Sequence, residues 1–286
     1  MSANMLKRVA FAAVAIPAAV GIVWQGGILL ALLVSLIATL GLREVYRFAR
    51  QTGLRPLGGI GFPVAVLVPI AVWAATGPEA IDPSLLFVVA PCGLLVVMTL
   101  ALASRRPDQH PLGSIAVTMF GVAYAAALPS ALIAIRQAGN WGDRSWPGTW
   151  TAFFPLVIVW ATDTAAMFAG KAIGGPKFAP VVSPGKTWAG TIAGLLVAMG
   201  VAPGYYALAM RPHGVLLELW QVLLAAAVLS IVGQIGDLAE SLLKREAGFK
   251  DSSDLIPGHG GVLDRFDSLY FVLPVAAALF SLFGIL

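Results

Sequence analysis

Between residues 237 and 267 the chain places acids, bases and glycines at spacings that suit phosphate chemistry. Asp237, Glu240, Ser241 and Lys244 stand at i, i+3, i+4 and i+7, so a helix through "IGDLAESLLKRE" carries all four on one face. Asp237 abuts an apolar run ending in Ile235 and Gly236. A carboxylate at such a boundary usually faces a cation or a metal. The plain alternative is an interfacial amphipathic helix that turns this face to water.

The same segment closes with "GHGGVLDRFDS", residues 258–268. Asp264 and Asp267 are three apart at the start of a helix, and two carboxylates there could simply cap it. Gly258, Gly260 and Gly261 let the backbone bend and come close to a ligand, and exposed amides beside a helix N-terminus form an anion site. Oxygen ligands from Asp237, Asp264 and Asp267 together with substrate phosphates are how Mg²⁺ is normally held. Acids, bases and glycines together therefore point to a metal-phosphate site. His259 has no zinc-binding companion, because His110 and His213 fall in other loops. It is read as a phosphate contact or as a shaper of the glycine turn.

A second polar segment, residues 171–187, reads "KAIGGPKFAPVVSPGKT". Its end imitates a P-loop, but the first glycine of that pattern would fall on Pro180, so a Walker site is excluded. What remains is Lys171, Lys177, Ser183, Lys186 and Thr187 in a glycine-rich stretch, a composition that at the least attracts anionic lipid headgroups. Asp163, in "WATDTAAMFAGK", lies inside an apolar run. It is either a functional acid or a buried aspartate bonded to Thr162, Thr164 or a neighbouring helix.

The elements that must position these residues are apolar helices. The chain has 286 residues, 59% of them hydrophobic and 11% charged, with mean hydropathy +0.88. These values exclude a soluble globular domain, in which about a quarter of residues are charged. The expected fold is an all-α polytopic membrane protein with about nine transmembrane helices. They lie near residues 8–24, 27–42, 59–76, 84–103, 113–135, 150–170, 188–209, 215–236 and 268–286. The opening run behind Lys7 and Arg8 resembles a signal peptide but is read as a retained span, because the next apolar run follows almost at once. With the N-terminus cytoplasmic and the C-terminus outside, only Arg136, Arg144 and Arg211 of the 18 Lys and Arg fall on the outer side. That is the positive-inside pattern. The net charge of +4 is thus a matter of topology and does not point to nucleic acid.

One integral membrane domain, 1–286, is expected, with N-terminal helices over 1–149 and a catalytic half over 150–286. The two polar loops of that half, 171–187 and 237–267, face the cytoplasm. The outer loop carrying Trp141, Trp146 and Trp150 reads as interfacial anchoring. The single cysteine, Cys92, excludes a disulfide framework and a thiolate metal cluster. An Ala-rich composition fits a bacterial inner (cell) membrane.

The stretch "SLLKREAGFKDSSDLIPGHGGVLDRFD" resembles the signature of the CDP-diacylglycerol synthase (phosphatidate cytidylyltransferase) family. Ser241, Lys244, Arg245, Lys250, Asp251, Ser253, Pro257, His259, Gly260, Gly261, Asp264, Arg265 and Asp267 fill its positions. "DTAAMFAGKAIG" and "VSPGKTWAG" resemble other typical stretches of that family, so the similarity covers the C-terminal half. The resemblance implies transfer of a cytidylyl group from CTP to phosphatidic acid, giving CDP-diacylglycerol and pyrophosphate. It also implies Mg²⁺, possible use of a second metal ion, a polar cavity open to the cytoplasm, and often a homodimer among membrane lipids.

On that resemblance Asp237, Asp264 and Asp267 hold the metal, and Lys244 and Arg265 join them as catalytic residues. Asp163, Lys171, Ser183, Lys186, Ser241, Arg245, Lys250, His259, Gly260 and Gly261 serve the substrates. A CTP-dependent lipid or polyprenol kinase would need the same apparatus but would release CDP. A transporter would more often carry its broken helices in both halves of the chain.

Overall fold

The computed structural model describes residues 16–76, 84–137, 141–255 and 260–286. The helices are α1 (Ile16–Gln25), α2 (Gly27–Gln51), α3 (Gly58–Thr76), α4 (Ser84–Ser104), α5 (Pro111–Gln137), α6 (Trp146–Ala172), α7 (Trp188–His213), α8 (Leu219–Glu246) and α9 (Leu263–Leu282). A two-stranded ribbon, β1 (Lys177–Ala179) and β2 (Ser183–Thr187), joins α6 to α7. A helix thus occupies each position where one is expected. Lys7, Arg8 and the opening of the first expected span lie outside the described residues.

Among the described residues seven helices, α2, α3 and α5 to α9, are long and apolar enough to cross a membrane. Their outer faces carry large apolar side chains such as Leu67, Leu196 and Leu208. In water such a surface would be a liability, whereas in hydrocarbon it is the solvated face. The chain is an all-α polytopic membrane protein.

Two features differ from the sequence expectation, the end of α2 and the form of segment 171–187. α2 runs past residue 42 to Gln51, because its buried face continues through Glu44, Val45 and Phe48 while Arg43, Arg47 and Arg50 take the exposed one. The helical period survives the charges. α8 continues to Glu246 and α9 begins at Leu263, with 247–262 connecting them, in line with the helix expected through Asp237 to Lys244 and the helix start expected at Asp264 and Asp267. Segment 171–187 is an ordered antiparallel ribbon, with Lys177 opposite Thr187 and Ala179 opposite Ser183. Strands this short carry no readable period.

One apolar core gathers residues of α6, α7, α8 and α9, including Phe154, Ile158, Ala198, Leu229 and Val272. A second joins α2, α5 and α9 through Leu42, Tyr46, Tyr124, Leu263 and Tyr270. At the α8–α9 crossing a Cβ on Gly236 would stand 2.9 Å from the Asp267 carbonyl oxygen. Only glycine permits that approach, and it sets Asp237 beside the first turns of α9.

Arg136, expected among the outer-loop cations, is instead fully buried. It donates to the Val23, Trp24 and Gly142 carbonyl oxygens at 2.6, 2.7 and 3.1 Å. The end of α1 leaves the Val23 and Trp24 carbonyls without helical partners, and the guanidinium fork satisfies them together with that of Gly142. Trp146 stacks on Trp150 at 5.6 Å, which packs that same end of the bundle.

Candidate active site

Two clusters of polar side chains meet where α8 passes α6, α9 and the ribbon. The first lines a cavity of about 480 Å³. α6 contributes Asp163 and Lys171, the ribbon Lys177 and Lys186, and α8 Gln234 and Asp237. Lys186 Nζ sits 2.6 Å from Asp237 Oδ2 and donates to the Gln234 carbonyl oxygen at 3.3 Å. Ser241 Oγ donates to Asp237 Oδ1 at 3.4 Å. The ribbon therefore serves as an arm that delivers a lysine to a carboxylate on another helix. Thr187 caps α7 by accepting the Gly190 amide at 3.1 Å, which fixes the arm's root.

The second cluster is buried. Lys244 Nζ lies 2.5 Å from Glu240 Oε2 and 2.7 Å from Asp264 Oδ1. Asp264 Oδ2 accepts from Ser252 N at 2.8 Å, Ser252 Oγ at 2.9 Å and Gly261 N at 2.8 Å. Glu44, from α2, accepts from Ser252 Oγ at 2.8 Å, Ser253 Oγ at 2.5 Å, Val262 N at 3.0 Å and Leu263 N at 2.8 Å. Two carboxylates thus hold the connector and cap α9, where the free amides and the helix dipole favour negative charge. A Cβ on Gly261 would collide with Ser252 Oγ and the Glu44 carboxylate, so that position is closed to side chains. Gly260, at φ +81°, turns the chain into this network.

A model of the cytidylyltransferase family matches residues 6–283 of this chain. The chain belongs to that family. It is 42% identical over 198 residues to the phosphatidate cytidylyltransferase of Brucella suis biovar 1 (strain 1330), covering 69% of this chain and 64% of the relative. The phosphatidate cytidylyltransferase of Bacillus subtilis (strain 168) is 43% identical over 132 residues, 46% of this chain and 48% of the relative. That of Pseudomonas aeruginosa PAO1 is 48% identical over 124 residues, 43% of this chain and 45% of the relative. The chain spans less than two thirds of the length of each of these relatives.

In this member of the family the residues expected to serve one site divide into groups. Asp163, Lys171, Lys186 and Asp237 share the open cavity. Ser241 and Lys244 are buried, and Glu240 beside them is fully so. This face of α8 is therefore packed against protein and is not turned to water. Asp264 has both oxygens turned to protein donors, Lys244 on Oδ1 and Ser252 and Gly261 on Oδ2, much as Asp237 has Ser241 and Lys186. Asp267 accepts from its neighbour Ser268 N at 2.6 Å and lies within electrostatic reach of Asp163 and Asp237.

Other expected residues stand apart. Arg245 is exposed and donates to the Val182 carbonyl oxygen at 3.4 Å and the Phe249 carbonyl oxygen at 3.1 Å, tying α8 to the ribbon. Ser183 opens β2 and does not line the cavity. Lys250 and Arg265 are exposed. His259 lies outside the described residues.

Glu44 was not singled out from the sequence, although one signal was present. It falls three residues after Gly41 and four before Phe48, on the apolar face of α2, where an acid needs a partner. Its flanking arginines read as topology markers and masked it. Gln234 and Ser252 carry no comparable signal.

The carboxylate oxygens of Asp163, Asp237 and Asp267 are hard ligands of the kind that suit Mg²⁺. Among the described residues no three His, Cys, Asp or Glu side chains form a cage for an ion. The residues present fit an ion held by one or two carboxylates and completed by phosphates and water. They do not fit a site built from protein ligands alone.

Proposed function

We propose that this chain transfers the cytidylyl group of CTP to phosphatidic acid, giving CDP-diacylglycerol and pyrophosphate for phospholipid synthesis. The observation that carries this reading is the cavity in which Lys171, Lys177 and Lys186 face Asp163 and Asp237 at the ends of lipid-facing helices. Family membership and relatives named phosphatidate cytidylyltransferase support it. A water-borne nucleotide and a bilayer-borne phosphate can meet only at headgroup level.

An oxygen of the phosphatidate phosphomonoester attacks the α-phosphorus of CTP. A new P–O–P bond forms, and the bond from the α-phosphorus to its bridging oxygen breaks. The electron pair leaves on pyrophosphate. The attacking oxygen is already anionic near neutral pH, so the step needs no general base. Its main obstacle is repulsion between two polyanions, which cations and positioning overcome.

Lys186 neutralises phosphate oxygens at the cavity floor, where Asp237 holds its ammonium in place. Lys171 and Lys177 bind the triphosphate from the rim as point charges. Asp237 and Asp267, with Asp163 beside them, would hold Mg²⁺, which when bound would supply charge neutralisation to the phosphates. A second metal ion would draw on the same acids. Asp264 and Lys244 act as positioning residues that fix the connector, with Gly260 and Gly261 presenting backbone and His259 available to a phosphate. Arg245, Lys250 and Arg265 extend the cationic approach, and Ser183 and Ser241 stabilise the ribbon and the Asp237 carboxylate.

The protein on this reading sits in a bacterial inner membrane, N-terminus and active site cytoplasmic and C-terminus outside, as a homodimer among membrane lipids. Detergent-purified protein given phosphatidic acid, CTP and Mg²⁺ is expected to release pyrophosphate, and EDTA to stop it. Release of CDP would replace the reading with a kinase. Absence of nucleotide consumption would remove enzymatic transfer altogether.

A further inference from the structure

A second cavity, of about 430 Å³, opens beside the C-terminal end of α2 and is not used by the reaction above. Arg43, Arg47 and Arg50 line it together with Asp254 and Leu255 of the connector. Arg47 is held in place: its Nη1 donates to the Ser252 carbonyl oxygen at 3.1 Å, and its guanidinium lies 4.4 Å from the centre of the Phe249 ring. Arg43 and Arg50 are exposed, and none of the ion pairs among the described residues includes them. Glu44, at the cavity wall, has its charge absorbed by four donors, so three arginines face one remaining acid of the lining, Asp254, and the space is net cationic.

The same face of α2 continues away from the cavity as an apolar stripe. Leu29, Leu32 and Leu36 are 44%, 49% and 55% exposed and lead through Leu40 to Arg43, each step three or four residues long. A helix with that spacing presents one continuous strip, apolar over its length and cationic at its end. Such a strip matches a single molecule with an anionic head and hydrocarbon tails.

We propose that this face binds an anionic phospholipid, its phosphate among Arg43, Arg47 and Arg50 and its acyl chains along Leu29, Leu32 and Leu36. Two arginine forks reach a phosphate that a third holds from the connector side, and guanidinium groups suit its planar pairs of oxygens. Since Arg47 is bonded to the Ser252 carbonyl, lipid bound here also braces the connector that Asp264 and Glu44 hold. The site is separate from the Lys186–Asp237 cavity and does not depend on the reaction proposed for it.

The test is native mass spectrometry of the full chain in detergent, titrated with dioleoyl phosphatidylglycerol, dioleoyl phosphatidylcholine or inorganic phosphate. Phosphatidylglycerol is neither substrate nor product of the proposed transfer, so the outcome stands whether or not cytidylyl transfer is observed. The wild-type chain is expected to retain phosphatidylglycerol in preference to phosphatidylcholine. Each cation near an anionic headgroup is worth about fivefold, so Arg43→Gln with Arg50→Gln weakens retention by about 25-fold. Lys186→Gln leaves retention unchanged. Should the double variant not fold, Arg50→Gln alone is read, with a loss of about fivefold. Retention unaltered by the arginine changes, equal retention of phosphatidylcholine, or displacement of the lipid by inorganic phosphate at matching concentration would each overturn the proposal.

Discussion

Glu44 of α2 accepts the backbone amides of Val262 and Leu263, at 3.0 and 2.8 Å, across more than two hundred residues of chain. The N-terminal half of the protein thereby caps the helix on which Asp264 and Asp267 stand. A buried carboxylate with four donors is worth much more than one at a surface, because its loss strands those donors away from water.

Glu44→Gln is therefore expected to destabilise the chain by roughly 2–4 kcal/mol, with most of the proposed transferase activity lost alongside. The readouts are the melting temperature in detergent and pyrophosphate release. An unchanged melting temperature would show that α9 holds its cap without this residue.

Lys244 stands between Glu240 and Asp264, and removing it leaves two carboxylates buried without a cation. Lys244→Met is expected to cost roughly 3–5 kcal/mol. The double change Lys244→Met with Glu240→Leu should recover part of that loss, which chemical denaturation in detergent would measure. Additive losses would mean that the pair does not act as a unit.

In the open cavity the balance differs, since the Lys186–Asp237 pair is partly exposed. Lys186→Gln should leave the fold intact and lower kcat/KM for CTP by about a hundredfold, as expected for loss of one charge-stabilising donor. Steady-state pyrophosphate assays on the purified variant decide it. A variant as active as the wild type would move the phosphate contact to Lys171 or Lys177.

Gly261→Ala tests the connector by shape alone. The added methyl meets Ser252 Oγ and the Glu44 carboxylate, so the backbone of the connector must shift. Activity is expected to fall by about tenfold to a hundredfold, the scale on which misplacing a positioning group slows a reaction. Hydrogen exchange should show faster exchange at the Val262 and Leu263 amides, and unaltered exchange would argue that the connector accommodates a side chain.

Removal of divalent ions by EDTA should abolish pyrophosphate release, and added Mg²⁺ should restore it. With Asp237→Asn the Mg²⁺ concentration for half-maximal rate is expected to rise about tenfold, the scale on which losing one ligand weakens an ion held by few. An unchanged requirement would take Asp237 out of the metal site.

Hydropathy and spacing in the sequence determined the helix positions, the shared face of Asp237, Glu240, Ser241 and Lys244, and the membership of the signature segment. Those features depend on neighbours within one or two turns of the chain. The burial of that face, the ribbon that carries Lys186 to Asp237, and the distribution of Asp264 and Asp267 between different environments were decided by tertiary structure. Each depends on which helix lies opposite, and no local pattern encodes that. Glu44 shows the physical reason most clearly: beside Arg43 and Arg47 it reads as one more surface charge. Only the packing of α2 against the start of α9 removes it from water and gives it four donors to accept.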